Sequence, residues 1–333
     1  MKNRGKADAE DGTMTKIERC SDAAVLCRLY GEFCAEKGAI TLPLDTETFR
    51  RVFFQENCIH LAAWQGNRPV GFASGCADAG RRVGYLSFIG VCTDMRRQGI
   101  GRALLHALEQ ELCTFPFARR IETVFFNPVH LPWRILVAGG ATHPCMPGTD
   151  QKSALYPLLL SDGYTEWTVQ NAYYRALAGY TDPPTLAKTR ARLLSEGIEV
   201  TLYNPAEHRD LAGLFDDINN PGWGAQVLAA VDQPIVVAVD HTAENLIVSY
   251  TGPLSTDPGG RGNFCGIGTR RAYRGRGIGK VVFCEMCRRH AERGATFMSL
   301  YTGDQNPARH IYEAAGFCIV RSFGNLRKEV VLL

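Results

Sequence analysis

Arg96-Arg97-Gln98-Gly99-Ile100-Gly101 recurs almost letter for letter as Arg274-Gly275-Arg276-Gly277-Ile278-Gly279, and each copy follows an apolar run and opens a helical pattern. Glycine lets the backbone turn sharply and approach a ligand closely. The first amides of a helix lack partners within it, and the helix dipole adds to them, so such a turn is an anion site. Arginines beside it supply charge-assisted contacts to phosphate. The pair reads as a duplicated phosphate-binding turn.

A chain of 333 residues exceeds one typical domain and suits two of about 150 residues each. With 45% hydrophobic and 21% charged residues it can bury real cores and is not disordered by composition. The net charge is only +3, and the arginines gather at the glycine turns instead of forming stripes, which argues against nucleic-acid and membrane-surface partners. No apolar run reaches the roughly 18 residues of a membrane span, and the N-terminus is polar rather than signal-like, so a cytoplasmic location is expected. The twelve cysteines lack the dense spacing of a secreted scaffold and read as reduced thiols. Met14-Thr15-Lys16-Ile17-Glu18 reads as the entry to a first strand, leaving 1–13 as a disordered extension.

In the first half, hydrophobic patterning predicts a strand at 16–19, then an amphipathic helix carrying Val25, Leu26, Leu29 and Phe33 with Ser21 as its N-cap. Cys20, Cys27 and Cys34, seven apart, fall on a core-facing side. Strands at 59–64 and 69–77 join at Gly66-Asn67, and a third at 83–91 delivers the chain into the first glycine turn. A helix at 100–113 aligns Leu104, Leu105, Leu108 and Leu112, and a strand follows at 121–126. The stretch 127–149, rich in Pro and Gly, shows no clear period and reads as an irregular cover over a site or a wedge. A helix at 153–160, the Gly163-Tyr164 turn and a strand ending near 177 close the half.

Thr181-Asp182-Pro183-Pro184 breaks the pattern, and 185–195 reads as a linker helix. The second half repeats the order: strand 198–202, helix 210–215, strands 235–239, 246–251 and 264–269, the second glycine turn, helix 278–289, strand 296–301, helix 307–314, Gly316-Phe317 and a closing strand. The expected domains are therefore 14–178 and 197–333, with 179–196 as linker. Gly163 lies 62 residues after Gly101, whereas Gly316 lies 37 after Gly279, so the first half carries about 25 extra residues, placed by pattern in 127–149.

Two common phosphate motifs do not fit. A dinucleotide fingerprint needs G-x-G-x-x-G and a downstream acid, but the second copy spaces its glycines as G-x-G-x-G and the first lacks the leading one. A Walker A loop needs four residues between its glycines and Ser or Thr after the lysine, but Lys280 is followed by Val281.

The remaining pattern, R-x-x-G-x-G between strand and helix, is followed in the second half by Asn306-Pro307-Ala308-Arg309-His310-Ile311-Tyr312-Glu313-Ala314-Ala315-Gly316-Phe317. In this order of turn, strand, helix and Gly-Phe pair, twice over, the chain resembles the GNAT superfamily of acyl-CoA-dependent N-acetyltransferases from Met14 to the C-terminus. The resemblance implies a mixed, mainly antiparallel sheet flanked by helices in each of two tandem domains, with the pantetheine arm of acetyl-CoA lying between splayed fourth and fifth strands like an added strand. It implies that the coenzyme pyrophosphate is held at Arg276, Gly277, Ile278 and Gly279 and at Gln98, Gly99, Ile100 and Gly101. Arg274, Gly275 and Lys280, and Arg96, Arg97 and Arg102, complete the two turns. Thr269 and Val91 end the fourth strands, where a backbone amide polarises the thioester carbonyl.

The same resemblance implies Tyr312 as the acid that protonates the departing thiolate, since a phenol with a reference pKa of about 10 can serve a thiol that titrates nearer 8 or 9. Asn306 is expected to bond the pantetheine arm or an ordered water. Counting back from Gly163 as Tyr312 stands to Gly316 lands on Leu159, which carries no proton, and Tyr156 lies about one turn earlier. Catalysis is accordingly assigned to the second half, with Glu122 and Asp304 as candidate bases and His130, Trp133 and His143 as candidate acceptor contacts. Cys284-Glu285-Met286-Cys287 has metal-like spacing but lies within an apolar helix with no second pair, so no metal is expected. The activity expected is acetyl transfer from acetyl-CoA to a primary amine of a small molecule or peptide by direct attack in a ternary complex. The alternatives are a non-catalytic acetyl-CoA binder or sensor and an acyltransferase for a longer acyl group.

Overall fold

The computed structural model describes residues 14–230 and 233–329, and the extension expected at 1–13 lies outside the described residues. In chain order the elements are β1 Lys16–Arg19, α1 Ala23–Cys34, α2 Thr46–Phe53, β2 Cys58–Gln65, β3 Arg68–Asp78, β4 Val83–Val91, α3 Ile100–Cys113, β5 Arg120–Thr123, β6 Trp133–Ile135, β7 Ala141–His143, β8 Thr149–Asp150, α4 Leu155–Ser161 and β9 Thr165–Ala176. There follow α5 Leu186–Ser195, β10 Ile198–Leu202, α6 Leu211–Asp217, α7 Pro221–Ala229, β11 Val236–Asp240, β12 Leu246–Thr251, β13 Arg261–Gly262, β14 Ile267–Thr269, α8 Ile278–Glu292, β15 Phe297–Gly303, α9 Arg309–Ala314 and β16 Cys318–Glu329.

The described residues form two compact units, each assembled from discontinuous sequence. Unit 1 takes 14–133, 144–167 and 324–329, and unit 2 takes 134–143 and 168–323. In unit 1, β1, β2, β3 and β4 run antiparallel in order, and β5 pairs parallel with β4. The other side of β5 is closed by 326–329 at the end of β16. In unit 2, β10, β11, β12 and β14 form an antiparallel sheet, β13 pairs parallel with β15, and β15 is closed by 170–176 of β9. Each fifth strand thus receives its outer neighbour from the opposite half of the sequence.

In unit 1, α3 sits against β3 because the glycines there leave no side chain in its way. A Cβ at Gly75 would stand 2.6 Å from Tyr85 O, with Leu108 and Leu112 just beyond. Phe72 points to the opposite face, as alternation along a strand requires. There it meets Phe33, Phe49, Phe53 and Phe88 in an aromatic layer under α1 and α2. In unit 2 the core of α8 is Val281, Val282, Phe283 and Met286, while Leu214, Phe215 and Val227 of α6 and α7 cover Val237, Val239, Ile247 and Tyr250.

Several elements differ from their sequence reading. The cap of α1 is Asp22, whose carboxylate accepts the Ala24 and Val25 amides, rather than Ser21. Helices α2 and α7 went unread. The first is short, with only Phe49 and Phe53 fully buried, although Asp45 caps it by accepting from Thr48 N at 2.8 Å. The second opens with Pro221-Gly222, which looks like a loop; yet Pro suits the first helical position, and Asn220 caps it through Trp223 N.

The expected strand 264–269 is divided: β13 precedes it, 263–266 leave the sheet, and β14 resumes at Ile267. Gly266, with φ of 151°, makes this break possible, because a Cβ there would lie 2.7 Å from the Trp223 ring. The expected strand 121–126 stops at Thr123. The stretch 127–149 is not irregular throughout. It carries a two-stranded hairpin, β6 and β7, turning through Gly139 and Gly140, both at positive φ. Its buried and exposed positions alternate, an unread period of two across only three residues per strand.

Candidate active site

Both glycine turns have the geometry of an amide nest. In unit 1, Arg97 and Gly99 have φ of 64° and 85° on either side of Gln98; in unit 2, Gly275 and Gly277, both at 78°, flank Arg276. Left-handed residues so spaced turn successive N–H groups toward one concavity that suits an anion. The next helical amides to find main-chain partners are Ala103, bonded to Gly99 O at 3.0 Å, and Lys280, bonded to Gly277 O at 3.2 Å. Among the described residues the amides of 97–102 and 275–279 make no main-chain hydrogen bond.

Arg96 and Arg274 are each tied through Nε to the end of the fourth strand. Arg96 Nε donates to Val91 O at 2.9 Å, and its Nη2 pairs with Glu36. Arg274 Nε makes the same bond to Thr269 O at 3.1 Å. Each arginine therefore ties the end of the fourth strand to the turn. Arg102 is likewise engaged, with Asp162 and Ser161 at the end of α4.

The fourth and fifth strands part in both units. In unit 1, β4 pairs with β5 only over 83–85, and 86–91 keep β3 alone. Pairing with β3 jumps from Gly75↔Leu86 to Ser74↔Phe88, so Ser87 bulges from the ladder at the fork. In unit 2, β15 pairs with 261–262 of β13, while β14 turns to β12. One side of the backbone is left unpaired beyond each fork, the edge onto which an extended arm adds.

Tyr312 lies on α9 in an aromatic box, with ring centroids 5.0 Å from Phe283, 5.8 Å from Phe264 and 6.1 Å from Tyr173. Phe264 comes from the break between β13 and β14, so the box stands at the fork. Burial pushes the Tyr312 phenol above its ordinary value and keeps it protonated. In unit 1 the matching position is Leu159, fully buried. Tyr156 is not a substitute: its hydroxyl donates to Glu166 at 2.8 Å.

Asn306 Oδ1 accepts the amide of Ala308 at 3.0 Å. Asn127, which the sequence reading passed over, makes the same turn with Val129 N at 2.9 Å. The shared Asn-Pro pair, Asn127-Pro128 and Asn306-Pro307, stands 26 and 27 residues after the last motif glycine and was the available signal. Asn127 also holds Ser87 Oγ at 3.0 Å and accepts from Cys76 Sγ at 3.3 Å.

Of the candidate bases, Glu122 is buried on β5 in an ion pair with Arg120, and Asp304 is held by Gln305 and Thr168. Trp133 is buried with Nε1 donating to Cys145 O, and the His143 ring packs on Tyr301, while His130 is exposed. Cys284 and Cys287 are buried within α8. No helix among the described residues is long and apolar enough to cross a membrane.

A parted fourth and fifth strand, with an amide nest between the fourth strand and the next helix, defines an acyl-CoA N-acyltransferase-like fold, here present twice. The chain belongs to the acetyltransferase (GNAT) family, whose sequence profile matches residues 26–127 and 223–317. No curated protein matches it. Among solved structures, it resembles the glucosamine N-acetyltransferase region of a fungal multi-domain β-N-acetylglucosaminidase at TM-score 0.67 and 18% identity, covering 97% of this chain and 39% of that one. This chain thus spans well under half the length of that protein. A GCN5-related N-acetyltransferase from Sphaerobacter thermophilus aligns at TM-score 0.61 and 17% identity over 95% of both chains. A tandem GNAT protein of the clavulanic acid pathway aligns at 0.59 and 14%, over 96% of this chain and all of that one.

Proposed function

We propose that the chain is a cytoplasmic, tandem N-acetyltransferase that moves the acetyl group of acetyl-CoA to a primary amine of a small molecule or peptide by direct attack in a ternary complex. Its repeats are 14–178 and 197–333, joined by 179–196. The observation that carries the reading is the asymmetry at the fork: Tyr312 in unit 2 against Leu159 in unit 1. Unit 2 is the catalytic one.

The amides of 276–279 hold the pyrophosphate and a fourth-strand amide near Thr269 polarises the thioester carbonyl. The neutral amine attacks that carbon, its nitrogen sheds a proton to water that later restores Tyr312, and the tetrahedral intermediate expels the thiolate. Tyr312 protonates the sulfur; the burial that raises the phenol also makes the desolvated thiolate a stronger base, so the two stay matched. Asn306 bonds the pantetheine arm or its water. Unit 1 holds coenzyme at 98–101 without turnover, since Leu159 offers no proton.

Calorimetric titration of acetyl-CoA into Gly99→Glu and Gly277→Glu variants tests this, because each places a carboxylate where pyrophosphate sits. Wild type should bind two equivalents and each variant one, with thiol release from acetyl-CoA in the presence of an amine panel lost only in Gly277→Glu. Unchanged stoichiometry in that variant, or turnover surviving in it, would overturn the assignment.

A further inference from the structure

Cys58 on β2 and Cys76 on β3 stand directly opposite each other in unit 1. Their neighbours Asn57 and Ala77 form a hydrogen-bonded pair, with Ala77 N donating to Asn57 O at 3.0 Å, while Cys58 N turns back to Gln55 O. In an antiparallel ladder the next pair along is non-hydrogen-bonded, with Cα atoms about 4.5 Å apart and side chains on the same face. That separation falls within the span of a disulfide, about 4.4–6.8 Å. None of the twelve cysteines is in a disulfide.

The two thiols differ in environment. Cys58 is partly exposed and Cys76 fully buried. Cys58, the partly exposed thiol, is the one a dissolved oxidant reaches, while the adjacent Cys58 sulfur and burial both raise the pKa of Cys76, which keeps its proton. On its other side Cys76 Sγ donates to Asn127 Oδ1 and lies 3.8 Å from Ser87 Oγ, at the fork of β4 and β5.

We propose that Cys58 and Cys76 are a reversible redox pair that closes a cross-strand disulfide when a hydroperoxide oxidises Cys58, and that closure takes the Cys76 donor away from Asn127 and weakens coenzyme binding at the unit 1 fork. Cys58 Sγ attacks the hydroperoxide, the O–O bond breaks, and Cys58 becomes a sulfenic acid while the displaced alkoxide takes up the proton that Cys58 gave up and leaves as an alcohol. The Cys76 sulfur then attacks the Cys58 sulfur, the S–O bond breaks, and the departing hydroxide takes the Cys76 proton as water. Two thiols lose two electrons and the hydroperoxide gains them.

The sequence makes this measurable in one fragment. Trypsin cuts after Arg51 and Arg81 but not before Pro69, so Cys58 and Cys76 emerge together, with no third cysteine, in peptide 52–81. After treatment of the folded, full-length protein with tert-butyl hydroperoxide and alkylation of remaining thiols, most of that peptide should be unalkylated, lighter by two hydrogens and fully restored by dithiothreitol. In Cys58→Ala, Cys76 should remain alkylatable on denaturation. Peptide 52–81 alkylated at both positions, or a sulfinate at Cys58 beside an intact Cys76 thiol, would overturn the pair.

The link to coenzyme rests on the coenzyme reading of unit 1 and is read separately. Acetyl-CoA titrated into the Gly277→Glu variant should bind severalfold more weakly after oxidation, and equal affinity in both states, including none, overturns the link. No binding even when reduced marks failure of the coenzyme reading itself, while the mass change still decides the disulfide.

Discussion

Leu159 and Tyr312 occupy the same place in the two units: the residues before them, Leu158 and Ile311, stand 3.8 and 3.1 Å from where a Cβ would project at Gly101 and Gly279 of the glycine turns. The helix after the fifth strand is therefore docked alike on both turns, and only one copy offers a hydroxyl. Tyr312→Phe should keep the aromatic box and the affinity for acetyl-CoA while kcat falls about a hundredfold or more, the usual scale of general acid catalysis. Steady-state kinetics with separate KM values checks this, and an unchanged kcat removes Tyr312 as the acid.

Arg192 on α5 donates through Nη2 to Arg276 O at 2.6 Å, and Arg276 in turn pairs with Glu196. In a trans peptide the carbonyl points away from the following N–H, so this bond lies opposite the Gly277 amide. Helix α5 braces the nest from behind. Arg192→Ala should weaken coenzyme binding at unit 2 by about 1 kcal/mol, roughly fivefold, with unit 1 unaffected. Equal affinity in calorimetry on a Gly99→Glu background would show the nest to be rigid without the brace.

Gly75→Ala should lower the stability of unit 1 by about 1–3 kcal/mol, as overpacking does, because its Cβ would meet the backbone oxygen of Tyr85, which has no rotamer to change. A melting temperature within error of wild type would show that α3 can lift from β3 at no cost.

His60 and His290 are buried, and burial lowers both to about 4. His60 Nδ1 lies 2.9 Å from Ser74 Oγ, and His290 Nε2 lies 3.0 Å from Asn263 O. For a folded pKa below the unfolded value of about 6.5, stability is fully present above that value and is lost as pH falls toward the folded pKa. Each ring should contribute a loss on the order of 3 kcal/mol by the end of that window. Thermal melts between pH 7 and about 4 should show a falling midpoint; a flat profile would mean that the two rings are not held neutral.

The glycine turns were legible because their requirement is local: left-handed φ at Gly99, Gly275 and Gly277 favours glycine, although Arg97 adopts it as well. Arg96 and Arg274 were recognised as invariant parts of the repeat, but not their bonds to Val91 O and Thr269 O, since a motif does not say which way a guanidinium turns. Asn127 escaped because the extra residues in 127–149 fall between it and α4, so counting backward from Gly163 never reached it. The strands β9 and β16, 12 residues each, were expected as closing strands after the pairs Gly163-Tyr164 and Gly316-Phe317. Their partners stayed hidden, since pairing is decided by residues more than a hundred positions away.

That exchange of closing strands sets an order of events during synthesis. The sheet of unit 1 keeps the outer edge of β5 bare until residues 326–329 have left the ribosome, well over a hundred residues after everything else in that sheet. A protein severed at the linker would yield a first fragment with an unsatisfied β5 edge, inviting aggregation, and a second whose β15 lacks residues 170–176. A chain cut between its halves therefore completes the edge of neither fifth strand.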